Sequence, residues 1–166
     1  MAETSKPSGY SGLQIGLHWA VALLVVIQYL GHDGIEHAWD AFRDDATAAT
    51  SSTVLLHIGA GASIFVLSLW RLWLWLTRGA PPLPEKEPAP LRFVASATHI
   101  LIYVLLIGMP ISGSLAWFAG IEQAGAAHGL ATSVLLALVA LHVAGAFFQQ
   151  FVLKTQVLTR MAVPQD

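Results

Sequence analysis

Apolar residues dominate four long runs of the chain, at residues 13–31, 53–77, 93–119 and 126–153. At about 1.5 Å of rise per residue each is long enough to cross the hydrocarbon of a bilayer as a helix, which needs roughly 17–25 residues. Only Gln14, His18 and Gln28 interrupt the first run. Between the runs the pattern turns polar. Residues 1–12 form a Gly/Ser-rich lead, and residues 32–52 read as a polar loop in which Asp33, Glu36, Asp40, Asp44 and Asp45 face the single base Arg43. GAPPLPEKEPAP at residues 79–90 reads as a stiff, proline-rich connector. A short turn with Gly120, Glu122 and Gly125 precedes the fourth run, and a short polar tail follows it. Pro110, directly after Met109, predicts a kink in the third helix. The expected architecture is all-α: a membrane four-helix bundle, one domain over residues 1–166, with no internal repeat.

Composition supports the membrane class. Hydrophobic residues make up 55% of the chain and charged ones 11%, with mean hydropathy +0.64; a soluble domain carries about twice that share of charge. A net charge of −2 offers no basic surface for nucleic acid. With no cysteine there are no disulfides, no thiolate metal sites and no covalent c-type haem. The first run has one lysine before it and no A-x-A-like cleavage signal after it, so it is expected to stay as a helix.

Charge distribution orients the bundle. If the N-terminus is cytoplasmic, that side carries Lys6, Arg71, Arg78, Lys86, Arg92, Lys154 and Arg160, and the other side only Arg43. The positive-inside rule then places both termini of a multi-pass membrane protein in the cytoplasm. Trp70, Trp73 and Trp75 read as an interfacial aromatic belt at the inner end of the second helix.

Orientation converts residue numbers into depths. His128 and His142 lie fourteen residues apart on the fourth run, which is roughly 21 Å along a helix and about 40° short of four whole turns. Both imidazoles therefore share one face at opposite depths. His18 on the first helix falls level with His142 toward the inner leaflet, and His57 on the second falls level with His128 toward the outer. Ionisable residues inside a membrane are costly and usually functional. Two level pairs suit two b haems, each iron held by axial histidines from two helices. Taken singly, each histidine also fits an inter-helix hydrogen bond.

Other residues gather around these levels. Arg71 lies fourteen residues after His57, hence on its face and at the inner level; it suits a haem propionate or, equally, snorkelling to lipid phosphate. His99 opens the third helix at the inner level and suits a role beside the ligands or at a quinone site, or a plain inter-helix hydrogen bond. Gly16, Gly59, Gly61 and Gly145 leave room for a flat ring or for ordinary helix packing. His32 and His37, in the acidic loop, are expected in solvent.

YSGLQIGLHW at residues 10–19, LLHIGAG at 55–61, WRLWLWLTRGAPPLP at 70–84, THILIYVLLIGMPISG at 98–113 and LHVAGA at 141–146 followed by Arg160 and Met161, taken in order, resemble the bacterial cytochrome b561 family. Its wider relatives include the cytochrome b subunits of membrane hydrogenases and formate dehydrogenases. The resemblance covers nearly the whole chain. It implies a four-helix bundle with two haems b, His18 with His142 at the inner one and His57 with His128 at the outer, and electron exchange with quinone. Some family members are described as oxidising superoxide with ubiquinone as acceptor. About two turns after the last ligand, where members often carry histidines near a proposed quinone site, this chain has Gln149 and Gln150. Glutamine can hydrogen-bond a quinone carbonyl but carries protons poorly.

Three functions follow as expectations: transmembrane electron transfer between the outer face and the quinone pool, superoxide oxidation, and a haem-bearing anchor for a basic periplasmic redox protein. Six outer acids against Arg43 give that face a net charge of −5, which slows an anion and favours a cationic partner.

Overall fold

The computed structural model describes residues 9–44, 51–82 and 88–165, and among these it is helical with no strand. Lys6, Asp45 and Lys86, named above, lie outside the described residues. Helix α1 (Gly12–Leu30) starts on a capping box. The Ser11 hydroxyl accepts from the Gln14 amide, while the Gln14 side-chain oxygen accepts from the Ser11 amide at 3.0 Å, so two otherwise orphaned donors are satisfied. Gln14 Nε2 also donates to the carbonyl of Gly79 at 3.1 Å. That bond ties the start of α1 to the end of α3 (Ser52–Arg78), whose chain leaves through Gly79 at φ 83°.

The segment expected as a polar loop at 32–52 is in part a helix, α2 (His32–Asp44). Ile35, Trp39 and Phe42 recur at spacings of four and three, which gives the short polar helix one apolar stripe. Trp39 stacks on Phe42 at 5.8 Å, and Phe42 stacks on Trp117 of α4 (Ala89–Ala119) at 4.8 Å. Gly125 admits the indole: a Cβ there would lie 2.9 Å from a Trp39 ring carbon. Helix α2 thus folds across the end of the bundle nearest His57 and His128, called the outer end after the expected orientation.

Helix α4 (Ala89–Ala119) begins inside the proline-rich connector, because Pro90 falls in its first turn, where a missing N–H costs nothing. It runs unbroken past Pro110 and ends at Gly120 in the left-handed region, φ 65°. Helix α5 (Glu122–Phe147) starts four residues before the expected boundary at 126, passes into a π-helical turn at Phe148–Val152, and is followed by the short α6 (Val157–Arg160).

Four helices, Gly12–Leu30, Ser52–Arg78, Ala89–Ala119 and Glu122–Val152, are long and apolar enough to cross a membrane. Their outward faces are unlike those of a soluble protein: Leu30, Phe93 and Leu130 are 83%, 74% and 70% exposed. Such apolar surface is the natural contact for lipid tails. Inside, Val21, Val25, Ile64, Leu106 and Leu135 form one buried cluster drawn from all four long helices. Leu135 is midway between His128 and His142, so the cluster is an apolar layer at mid-bundle.

The helices are not evenly spaced. Helix α1 packs on α3, α3 on α4 and α4 on α5, but among the described residues no Cα of α5 comes within 8 Å of one in α1 or α3. Helices in direct contact run about 8–10 Å axis to axis, with backbones much closer than that. Side chains bridge the gap instead, as where the Tyr29 hydroxyl donates to the carbonyl of Thr132 at 2.6 Å.

Candidate functional site

Histidines face one another across this gap at both depths. On the outer side the ring centres of His57 (α3) and His128 (α5) are 6.0 Å apart. His128 Nδ1 donates to the carbonyl of Met109 at 2.9 Å, which leaves Nε2 as the nitrogen with a free lone pair. The approach depends on Gly113, where a Cβ would lie 3.1 Å from two His128 ring atoms. Gln28 Nε2 donates to the carbonyl of His57 at 3.0 Å and holds that turn of α3 against α1. Beside the pair lies a largely apolar cavity of about 760 Å³, reaching from Leu106 and Leu135 at mid-bundle to Ile35, Glu36 and Trp39 of α2. His32 is exposed, as expected, yet also borders this cavity, whereas His37 is exposed and donates to Asp33 O at 2.6 Å.

On the inner side the ring centres of His18 (α1) and His142 (α5) are 6.1 Å apart. Arg71 Nη2 donates to His18 Nδ1 at 3.0 Å, and its guanidinium carbon lies 5.7 Å from the centre of the Tyr103 ring. The level at which the sequence puts Arg71 is thus the level at which it sits. His99 meets His142 edge-on at 4.9 Å, and its Nδ1 donates to Ala95 O at 2.7 Å. The inner layer is therefore three imidazoles and a guanidinium, the outer layer two imidazoles.

Gln149 and Gln150 occupy the π-turn below this layer. Gln150 Oε1 accepts from the Leu158 amide at 3.1 Å, and the Gln149 carbonyl accepts from the Thr155 amide at 3.0 Å. Both glutamines thus take part in folding the tail back, a use that no local spacing reveals. Gly113, Met109, Gln28 and Trp39 are also missed by a search for chemical groups, since three act through a backbone atom, a missing Cβ or a carbonyl partner. Gln28 did leave a signal, as a polar interruption of an apolar run.

Four membrane-length helices with histidines meeting in pairs on either side of an apolar layer define a class: helical membrane proteins with half-buried histidine pairs between their helices. The family model described as prokaryotic cytochrome b561 matches residues 9–163, and the chain belongs to that family. It is 36% identical over 162 residues to cytochrome b562 of Cereibacter sphaeroides, covering 98% of this chain and 99% of the relative. It is 31% identical to the "Probable superoxide oxidase CybB" of Yersinia pestis, covering 92% of this chain and 94% of that protein. Cytochrome b561 homolog 1 of Escherichia coli matches at 31% over a shorter stretch, 63% of this chain and 56% of its own length. This is a bacterial membrane cytochrome b with an electron-transfer role, and the family implies haem b.

The residues present fit that group. Among the described residues no set of three or more His, Cys, Asp or Glu side chains could hold a metal ion, so a closed four-ligand site of the zinc type is not offered. Paired imidazoles do suit an iron whose equatorial positions are filled by a macrocycle. Ring centres 6.0 and 6.1 Å apart are about what one metal between two imidazoles requires, a bond of about 2 Å on each side plus the radius of each ring. The outer cavity is within the range of cofactor sites, about 300–1,000 Å³.

Proposed function

We propose that the chain carries electrons across the membrane through two bis-histidine haems b, exchanging them between the periplasmic face and the quinone pool. The observation that carries this reading is the pairing of His57 with His128 and of His18 with His142 at 6.0 and 6.1 Å on opposite sides of one apolar layer. His57 and His128 would hold the outer haem, His18 and His142 the inner. Bound haem supplies a one-electron ferric/ferrous couple, with a potential set by ligands, hydrogen bonds and nearby charge.

The chain's own residues do the rest. Met109 O fixes the His128 tautomer with its proton on Nδ1, which leaves the Nε2 lone pair for a metal and makes the imidazole a better donor. At the inner site His18 accepts from Arg71 at Nδ1, so ligation through Nε2 needs its proton moved to Nδ1 and Arg71 turned away. The freed guanidinium is then available to a carboxylate of the cofactor. Val21, Val25, Ile64, Leu106 and Leu135 close the space between the pairs to water and ions, so the layer insulates against everything but electrons. Quinone would be met on the inner side near His99, Gln149 and Gln150, where the Gln150 side-chain oxygen also accepts from the Leu158 amide. The seven bases against one support an orientation with both termini and this end in the cytoplasm.

Replacing His128 with Leu tests the assignment. The purified variant should keep one haem per chain by pyridine haemochrome, and His18→Leu should lose the other; two haems retained in His128→Leu sinks the pairing. A second reading, superoxide oxidation with ubiquinone as acceptor, is favoured by the name of the Yersinia relative. It is opposed by Asp33, Glu36, Asp40 and Asp44 on α2 at the outer mouth, which repel an anion. Stopped-flow mixing with superoxide at low salt decides it: fast haem reduction supports the oxidase, and its absence leaves the electron conduit alone.

A further inference from the structure

The two layers carry fixed charge of opposite sign. At the inner layer Arg71 touches His18 at 3.0 Å and is half-buried, braced over Tyr103. Among the described residues the polar groups that meet this cluster are His18, Trp19, His99, His142, Arg71 and Tyr103, and none of them is a carboxylate. At the outer layer the charge is reversed. Among the described residues, the cavity beside His57 and His128 is bordered by no lysine or arginine, and the one formally charged side chain on it is Glu36, with histidine counted neutral. His32 is its near neighbour, at 4.0 Å.

A ferric centre gains an electron, and so loses a positive charge, more readily beside a cation than beside an anion; charge near the iron is one of the protein's means of setting potential. The effect is strong where water is scarce and weak where it is not. Arg71 therefore weighs more than Glu36, whose side chain is 67% exposed. The sign holds in either orientation of Arg71. Left beside His18, its charge acts on the ligand; turned onto a cofactor carboxylate, it cancels a negative charge that the outer layer leaves uncompensated.

We propose that Arg71 raises the reduction potential of the inner haem above that of the outer, so that electrons entering at the periplasmic face run downhill toward the cytoplasmic side. This rests on the two-haem reading above. It also gives the gradient a purpose, because an inside-negative membrane potential opposes an electron moving inward.

The test is an equilibrium redox titration of the purified full-length protein, followed in the visible spectrum, with the outer component assigned from its loss in His128→Leu. The wild type should show two midpoints, the outer lower. Arg71→Gln should move the inner midpoint downward and the outer far less, Arg71→Lys should restore most of the inner value, and Glu36→Gln should raise the outer by a smaller step. If Arg71→Gln fails to retain its inner haem, the wild-type order and Arg71→Lys decide. An outer midpoint at or above the inner, or an inner midpoint unmoved by Arg71→Gln, overturns the inference while the two-haem reading stands. A wild-type haemochrome of one haem per chain removes both.

Discussion

The Nδ1 of His128 lies 2.9 Å from the carbonyl oxygen of Met109, and Gly113, one turn further along α4, is what lets the ring come so close. A side chain at 113 would press on the imidazole from the side, since a Cβ already stands 3.1 Å from two of its atoms. Gly113→Val should therefore weaken outer haem binding by about tenfold or more, the scale seen when an outer partner of a metal ligand is disturbed. Haem content and the reduced spectrum check it: the outer component falls while the inner is kept.

His99 is the test of specificity within the inner layer. It stands 4.9 Å from His142, yet the pair that faces across the gap is His18 and His142. His99→Ala should keep both haems by haemochrome while altering the inner component's spectrum and the rate of its reduction by quinol. Loss of the inner haem in His99→Ala with retention in His18→Leu would reassign the ligand.

Trp39 holds α2 in place through Phe42, Trp117 and the bare surface of Gly125. Aromatic pairs contribute about 0.5–1.5 kcal/mol beyond their buried area, so Trp39→Ala should loosen α2 without unfolding the spans. Hydrogen exchange should rise through His32–Asp44 and stay low in the four long helices. A uniform change would show that α2 is not docked as an independent element.

Gln14 serves two elements at once, capping α1 and holding the carbonyl of Gly79. Gln14→Ala should cost about 1–2 kcal/mol and lower the melting temperature in detergent. Gln14→Glu keeps the cap but loses the donor to Gly79, so it should recover only part of the loss.

Much of the site was legible along the chain because a membrane helix has a fixed rise and turn. Fourteen residues from His128 to His142, or from His57 to Arg71, fix depth and face with no knowledge of neighbours. Helix α2 is not legible there, since 32–52 is dominated by five acids and its apolar stripe is only Ile35, Trp39 and Phe42; docking on Trp117 and Gly125 turns that stripe into a helix face. The start of α4 at Ala89 was hidden for a related reason: proline reads as a breaker until its place in the first turn is known.

By itself the sequence determined four spans, two levels of histidine and the charge asymmetry between the two sides, because hydrophobicity, helical spacing and charge are properties of one segment at a time. Tertiary structure alone decided that α5 stands away from α1 and α3, that Met109 O orients His128, that Arg71 reaches His18 and that Gln150 is taken by Leu158. Each of these joins residues from different turns or helices, and only packing sets the distance between them.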